Sequence, residues 1–409
     1  MNVYIENPHL EQCTNIATNG FKNITRTLDD NALKMTYKRR ENEVKSVVHW
    51  GQRKLLLCEL EFLTTYAEEG ILCIYAGAAP GTHIPFLSSL FPSVLFLLVD
   101  PAPFDISPTA KFMILEDFMT ANIASDYKTM KTLLISDIRS GDHRVLNENE
   151  LEEAIKADMN NQMLWYQILA PKAALLKFRL PWNDEKSEYL DGTLYLPVFG
   201  PQTTTECRLL VTENKMRVYD NKQYEEQMFY FNKVTRPSYY PHSFPYKEYL
   251  GIDHCYDCTC ELLIIKTYIL SSIERLSPWL THRSHILTSD SGTMVLSDND
   301  VTEILVHFVE AVTDACNSRA SKRNRKRHRT GADGEDCCSR QMLPYRTLTD
   351  WKRCIEFPLR IYDNQNMTVT EVQGCDDSKE VETQGSDAIA RRAPCDCPCD
   401  CPRSDSGSL

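Results

Sequence analysis

No apolar run in this 409-residue sequence approaches the ~20 residues that a membrane-spanning helix needs. The longer ones, such as Val94-Leu95-Phe96-Leu97-Leu98-Val99, have the length of a strand. The first residues, Met1-Asn2-Val3-Tyr4-Ile5-Glu6, lack the basic stretch and apolar core of a secretory leader. These absences predict a soluble, intracellular protein with no membrane partner. Positive charge is also in deficit: 45 Lys and Arg face 57 Asp and Glu, a formal net charge of -12. That excludes a general nucleic-acid coat, whose bases must outnumber its acids to displace counterions, but it allows a local basic cleft. The 16 cysteines lack the regular framework of a short secreted domain, and a chain this long builds a core without staples, so reduced thiols are expected. No internal repeat is visible. What is present is ordinary globular material, 42% hydrophobic and 10% aromatic, which excludes disorder throughout.

Up to about residue 315, apolar runs alternate with helical patterns as in an α/β domain. Gly51 to Leu63 places apolar residues at helical spacing and leads into Ile71-Leu72-Cys73-Ile74-Tyr75-Ala76, a strand followed at once by a glycine turn. Val94 to Val99 and Thr132 to Ser136 read as further parallel strands, because near-continuous apolar runs suit strands covered on both faces. Ala174 to Phe178 and Thr205 to Val211 read as later strands, each carrying a charge within an apolar run. A helix over Thr302 to Thr313 closes the ordered part. The expected organisation is an N-terminal extension over 1–40, a catalytic domain over 41–314, a basic flexible segment over 315–342, a candidate docking segment over 343–362, and an acidic, cysteine-containing disordered tail over 363–409.

The turn Tyr75-Ala76-Gly77-Ala78-Ala79-Pro80-Gly81-Thr82-His83 joins a strand to the start of a helix. Glycines let the backbone approach a ligand and leave helix N–H groups pointing at it. Asp100 ends the next strand, near the ~20-residue offset at which a carboxylate accepts hydrogen bonds from a ribose diol. A dinucleotide enzyme would show G-x-G-x-x-G, but here Ala79 replaces the second glycine and Pro80 intrudes, which disfavours an oxidoreductase. S-adenosylmethionine, with no phosphate to cradle, fits better. Alone, such a turn is equally a tight βα connection.

Four charges lie in or beside apolar runs: Lys54, Asp137, Lys177 and Glu206. Singly, each reads as a surface residue at an element's end. Together they are two positive and two negative charges, which compensate one another at the strand ends where open parallel sheets bind ligands. This K-D-K-E order resembles the tetrad of RNA ribose 2′-O-methyltransferases. Gly51 to Leu57, Ala79 to Ile84, Ile135 to Ser140 and Tyr224 to Lys233 resemble, in the same order, the corresponding segments of the poxvirus-type cap-specific 2′-O-methyltransferase family.

The resemblance implies a Rossmann-like S-adenosylmethionine-dependent α/β fold with a largely parallel central sheet flanked by helices. It implies Lys177 as the central catalytic group, either taking the proton of the ribose hydroxyl or, if charged, orienting that hydroxyl, with Lys54, Asp137 and Glu206 around it. Gln52, Leu55, Tyr75, Gly77, Gly81, His83, Asp100 and Asp137 would line the cofactor site. Where the family has an Arg two residues after the ribose acid, this chain has Pro101-Ala102-Pro103, so an adenine-side contact is missing or rebuilt. Trp182, Asp184 and Glu225 fall at one aromatic and two acids of the family's cap pocket, with Tyr37 as the second aromatic that sandwiches a cationic base. Arg139, Arg179 and Arg208 would meet RNA phosphates.

The expected substrate is 5′-capped mRNA or spliced-leader RNA, methylated at the first or second transcribed nucleotide. Two alternatives stand beside it: methylation of internal rRNA or tRNA ribose, and an accessory role with a poly(A) polymerase or other RNA-processing factor. A monomer or heteromer is expected. His254-Cys255-x-x-Cys258-x-Cys260 and Cys395, Cys397, Cys399 and Cys401 lack the paired spacing of a zinc ribbon or finger, so core thiols and a tail are expected, with no metal. The basic run Lys322 to Arg329 suits a nuclear localisation signal, with a solvated loop in the cytoplasm as the alternative. That run and the tail favour a cellular relative such as the kinetoplastid cap methyltransferases, which act on the spliced-leader cap.

Overall fold

The computed structural model describes residues 24–38, 50–141, 145–200, 204–245, 252–272, 287–288, 294–295 and 298–329, all within the unit Met1–Gln365. Most of the N-terminal extension, the candidate docking segment and the cysteine-rich tail therefore lie outside the described residues.

The strands are β1 Thr27–Leu28, β2 Leu72–Ala76, β3 Leu95–Val99, β4 Phe112–Leu115, β5 Thr132–Ser136, β6 Ala173–Phe178, β7 Lys186–Leu190, β8 Thr193–Tyr195, β9 Cys207–Val211 and β10 Met216–Asp220, with short strands β11 Leu287–Thr288 and β12 Met294–Val295. The helices are α1 Trp50–Tyr66, α2 Ile84–Leu90, α3 Ala121–Tyr127, α4 Glu148–Leu169, α5 Asn221–Tyr230, α6 Tyr256–Ser271 and α7 Asp298–Arg329. One eight-stranded sheet runs β1-β8-β9-β6-β5-β2-β3-β4. From β4 to β6 neighbouring strands are parallel, whereas β9, β8 and β1 add antiparallel partners. This is the largely parallel, Rossmann-like α/β architecture expected.

Burial explains the parallel part. All five residues of β2 and of β5 are buried, so each apolar side chain there contributes on the order of 1.5–3 kcal/mol. α1 supplies Leu56, Leu57, Leu60 and Leu63, each 0% exposed, and packs on α6. The buried Arg53–Glu261 ion pair clamps these two helices at 2.6 Å. α4 starts at a capping box in which the Asn147 side chain accepts from Glu150 N and Glu150 accepts from Asn147 N.

One feature departs from the expectation and a second goes beyond it. α7 does not stop at Thr313 but continues to Arg329, taking the basic run Lys322 to Arg329 into a helix. Cys207–Val211 is antiparallel to β6, so its N-terminal end lies beside the C-terminal ends of the parallel strands.

Candidate active site

Strand order reverses between β2 and β5: β3 and β4 follow on one side of this pair, β6 on the other. Ligands of open α/β sheets sit in the crevice at such a point, beyond the carboxyl ends of the strands. Gly77 leaves β2 there, and Asp137 leaves β5, its N–H donating to Ala76 O at 2.9 Å. Gly77 has φ +82, and a Cβ added to it would stand 2.8 Å from Asp137 C and Ile138 N. Only glycine fits that approach.

Lys177 lies near the end of β6, and Arg208 near the start of β9 is its register partner. Two cations facing each other across strands repel, so this pairing needs anions between them. Asp137 and Glu206 provide them. Asp137 Oδ1 is 3.1 Å from Lys177 Nζ and 2.6 Å from Arg208 Nη2. Glu206 Oε1 is 2.6 Å from Lys54 Nζ, and its Oε2 is 3.6 Å from Lys177 Nζ and 3.1 Å from Arg139 Nη2. The structure thus gathers Lys54 of α1, Asp137 just after β5, Lys177 of β6 and Glu206 just before β9 into one cluster. Burial pushes the Asp137 carboxyl up, but Lys177, Arg208 and Lys54 outweigh it and hold it down at about 2. Against the same burial, Lys177, Lys54, Arg208 and Arg139 hold Glu206 well below the usual carboxylate range. With Arg139 and Arg208 included, four cations meet two carboxylates in this cluster.

The expected cofactor residues divide into two layers. Gln52, Leu55, Gly77 and Asp100 are partly exposed at the crevice. Asp100 accepts from Ala79 N at 3.0 Å and Ala102 N at 2.8 Å, which fixes its carboxylate across the turn. Gly81, φ +68, is covered by Ile106 and Phe104, so apolar side chains stand near the turn in this Pro101-Ala102-Pro103 region. Tyr75 and His83, expected as lining, are each 1% exposed and form the layer behind. The Tyr75 hydroxyl donates to Glu59 Oε1 at 2.6 Å, and His83 meets Glu59 Oε2 at 2.8 Å and Gln52 Oε1 at 3.0 Å. Glu59 therefore organises that layer. It was not singled out in the sequence, although it shows the same signal as the tetrad, an acid inside the apolar run Leu56-Leu57-Cys58-Glu59-Leu60.

α5 carries one of the expected cap-pocket residues and anchors the segments that bear Tyr37 and Trp182. It carries Glu225, whose carboxyl is raised by burial and by neighbouring Glu226. Gln227 Nε2 donates to the carbonyls of Asp29, Asp30 and Ala32, each at 3.2 Å. Met35 N bonds Glu226 O, and Tyr37 packs edge-on against Phe229. On the other side, Asn221 Nδ2 donates to Pro181 O at 2.8 Å, next to Trp182. Tyr37 and Trp182 are 41% and 54% exposed, so both rings offer faces to a ligand. Asp184 is ion-paired with Lys156 of α4 at 3.0 Å.

The three arginines expected on RNA phosphates are placed differently. Arg208 is 5% exposed and turned onto Asp137, so it belongs to the tetrad and cannot reach a phosphate surface. Arg179 is paired with Glu152 and stacked on Trp182 at 4.0 Å. Arg139, bound to Glu206, is the most open of the three. Cys255, Cys258 and Cys260 are buried; burial raises the Cys255 thiol to about 11 and the Cys260 thiol to about 12. Donor atoms of Asp253, Cys255 and Cys258 lie within 4.8 Å of one another.

A family model described as poly A polymerase regulatory subunit matches residues 22–273, more than half of the chain. The chain belongs to that family. Two curated relatives, from myxoma virus strains Lausanne and Uriarra, bear the name cap-specific mRNA (nucleoside-2′-O-)-methyltransferase. Each is 31% identical over 216 residues, covering 47% of this chain and 63% of the relative. A fowlpox virus (strain NVSL) protein of the same name is 32% identical over 228 residues, covering 49% of this chain and 72% of its own length. The chain thus spans just under two thirds of the myxoma relatives. These relatives bear out the poxvirus-type resemblance carried by the motifs. Among solved structures, bluetongue virus VP4, titled a multifunctional RNA-capping production line, covers 48% of this chain and 33% of its own at 11% identity and a TM-score of 0.33.

Proposed function

We propose that this chain is a cap-specific RNA ribose 2′-O-methyltransferase, moving a methyl group from S-adenosylmethionine to a cap-proximal 2′-hydroxyl. The observation that carries the reading is the convergence of Lys54, Asp137, Lys177 and Glu206 at the switch point of the sheet. The names of the myxoma and fowlpox relatives support it.

The crevice fits the cofactor. Gly77 turns out of β2 at φ +82, where any side chain would strike the Asp137 backbone, and Asp100 keeps acceptor capacity for a ribose diol beyond its two backbone bonds. When bound, S-adenosylmethionine supplies an electrophilic methyl on a sulfonium. In-line transfer demands alignment of two reactants and management of one proton. Asp137 and Glu206, held ionised by four cations, fix Lys177 Nζ between them. Lys177, as the unprotonated amine, would orient the ribose hydroxyl and accept its proton while the O–CH3 bond forms and the methyl–sulfur bond breaks, and Asp137 and Glu206 would then hold the resulting ammonium. Lys54 locks Glu206 from the helix side.

Tyr37, Trp182, Asp184 and Glu225 are proposed to hold the methylated guanosine, and Arg139 to meet the RNA backbone. Nuclear localisation through the run Lys322 to Arg329 is part of the same reading; a fluorescent fusion that stays nuclear without this run would overturn it. A second role, binding to a poly(A) polymerase, is favoured by the family match, and co-purification with that polymerase tests it.

The experiment uses labelled S-adenosylmethionine and matched RNAs bearing a methylated-guanosine cap, an unmethylated cap or a bare 5′ end, with Lys177→Ala as control. Transfer confined to the methyl-capped RNA and lost in the control is expected. Equal transfer to all three would move the substrate to internal ribose. No transfer despite RNA binding would leave the accessory role.

A further inference from the structure

α4 carries an acid that faces neither the cofactor crevice nor solvent. Glu152 is 2% exposed. Its carboxylate accepts from Arg179 Nη2 and, through Oε2, from Trp182 N at 2.9 Å. The Arg179 guanidinium carbon sits 4.0 Å from the Trp182 ring centroid, so one face of the indole is already occupied by a cation. The indole is still 54% exposed, which leaves its other face for a ligand. One turn along α4, Lys156 holds Asp184 at 3.0 Å.

A 7-methylguanine ring carries positive charge, whereas guanine is neutral. An indole attracts a cation through its quadrupole, but a guanidinium on the opposite face would repel the second cation and cancel much of that gain. A buried carboxylate on the guanidinium neutralises it, and the indole regains its preference for a charged base. We infer that Glu152, acting through Arg179, sets how strongly Trp182 prefers a cationic base to a neutral one. This rests on the cap-binding reading above. Glu152 is a positioning residue: it touches no substrate, and its charge tunes one that does.

The test titrates the full chain with 7-methyl-GTP and with GTP, following quenching of tryptophan fluorescence, and takes the ratio of the two affinities. Glu152→Gln keeps the shape and an acceptor but removes the charge, so the ratio is expected to fall by about fivefold, mainly through weaker 7-methyl-GTP binding. Arg179→Gln removes the stacked cation and is expected to raise the ratio. Binding of S-adenosylmethionine should be unchanged in both. Equal loss of both nucleotides in Glu152→Gln, an unchanged ratio, or a fall of the ratio in Arg179→Gln would overturn the inference. Should Glu152→Gln fail to fold, the sign seen with Arg179→Gln decides alone. A wild-type chain that does not discriminate the two nucleotides refutes the cap reading itself, a result distinct from these.

Discussion

Asp137→Asn tests the central electrostatic claim with little change of shape. Lys177 and Arg208 are direct register partners on antiparallel strands, which places their backbones ~5 Å apart. Their side chains are 12% and 6% exposed, so water screens them poorly. Two like charges at ~5 Å repel by roughly 3 kcal/mol at an effective dielectric of ~20. In the native chain Asp137 Oδ1 meets both cations, at 3.1 and 2.6 Å. Asparagine leaves only Glu206, at 3.6 and 3.8 Å from the same two groups. We expect a loss of about 3 kcal/mol, in line with the cost of breaking a buried pair, read as a lower urea midpoint at neutral pH. The double variant Asp137→Asn with Arg208→Met removes the repelling partner and should recover at least half of that loss. Methyl transfer should stay abolished in both, because Lys177 has lost the group that fixes it. A single variant within about 0.5 kcal/mol of wild type, the ordinary range for surface substitutions, would refute the reasoning.

Three further outcomes are expected. Because the folded values of Asp137 and Glu206 are depressed, their contribution to stability is complete above about pH 5, clear of both unfolded values. It is lost as pH falls toward about 2, where Asp137 titrates; melts across this range should show a steep decline that Asp137→Asn flattens. Gly77→Ala adds a Cβ 2.8 Å from the Asp137 backbone at φ +82. It should cost about 1–3 kcal/mol of stability and abolish calorimetrically detected binding of S-adenosylmethionine, and wild-type affinity would contradict the proposed crevice. Gln227→Ala releases the carbonyls of Asp29, Asp30 and Ala32, so KM for capped RNA should rise severalfold while KM for S-adenosylmethionine holds; a rise in both would point to general loosening.

The sequence revealed most where one residue carries two conflicting signals. Lys177 and Glu206 stand in or beside apolar strands, and that conflict between charge and burial, together with the K-D-K-E order, marks the cluster in the sequence. β2, β3 and β5 were legible for a related reason: strands buried on both faces leave unbroken apolar runs. β7 and β10, which among the described residues pair only with each other, leave no such run and are not legible in the sequence. Orientation was less accessible than position. Arg208 looked like a surface cation because strand alternation cannot say which face is buried, and only its pairing opposite Lys177 turns it inward. Tyr75 and His83 fell at the expected turn but belong to its supporting layer, since Glu59, 16 and 24 positions away, draws their polar atoms to itself. Glu152 was hidden on the buried side of α4 beside Ile155 and Met159, where helical spacing predicts apolar residues.

The strap over residues 29–37 has a consequence for the order in which the molecule becomes competent. Its carbonyls are held by Gln227, separated from them by 195 to 198 positions. The whole parallel sheet lies between the strap and its anchor in the chain, so the strap cannot be held until α5 is in place. Contacts of such sequence separation form late. The charge cluster closes through Lys54 and Glu206, 152 positions apart, whereas the strap closes over 195 to 198, so in the proposed reading the choice of RNA rests on longer-range contacts than the chemistry does.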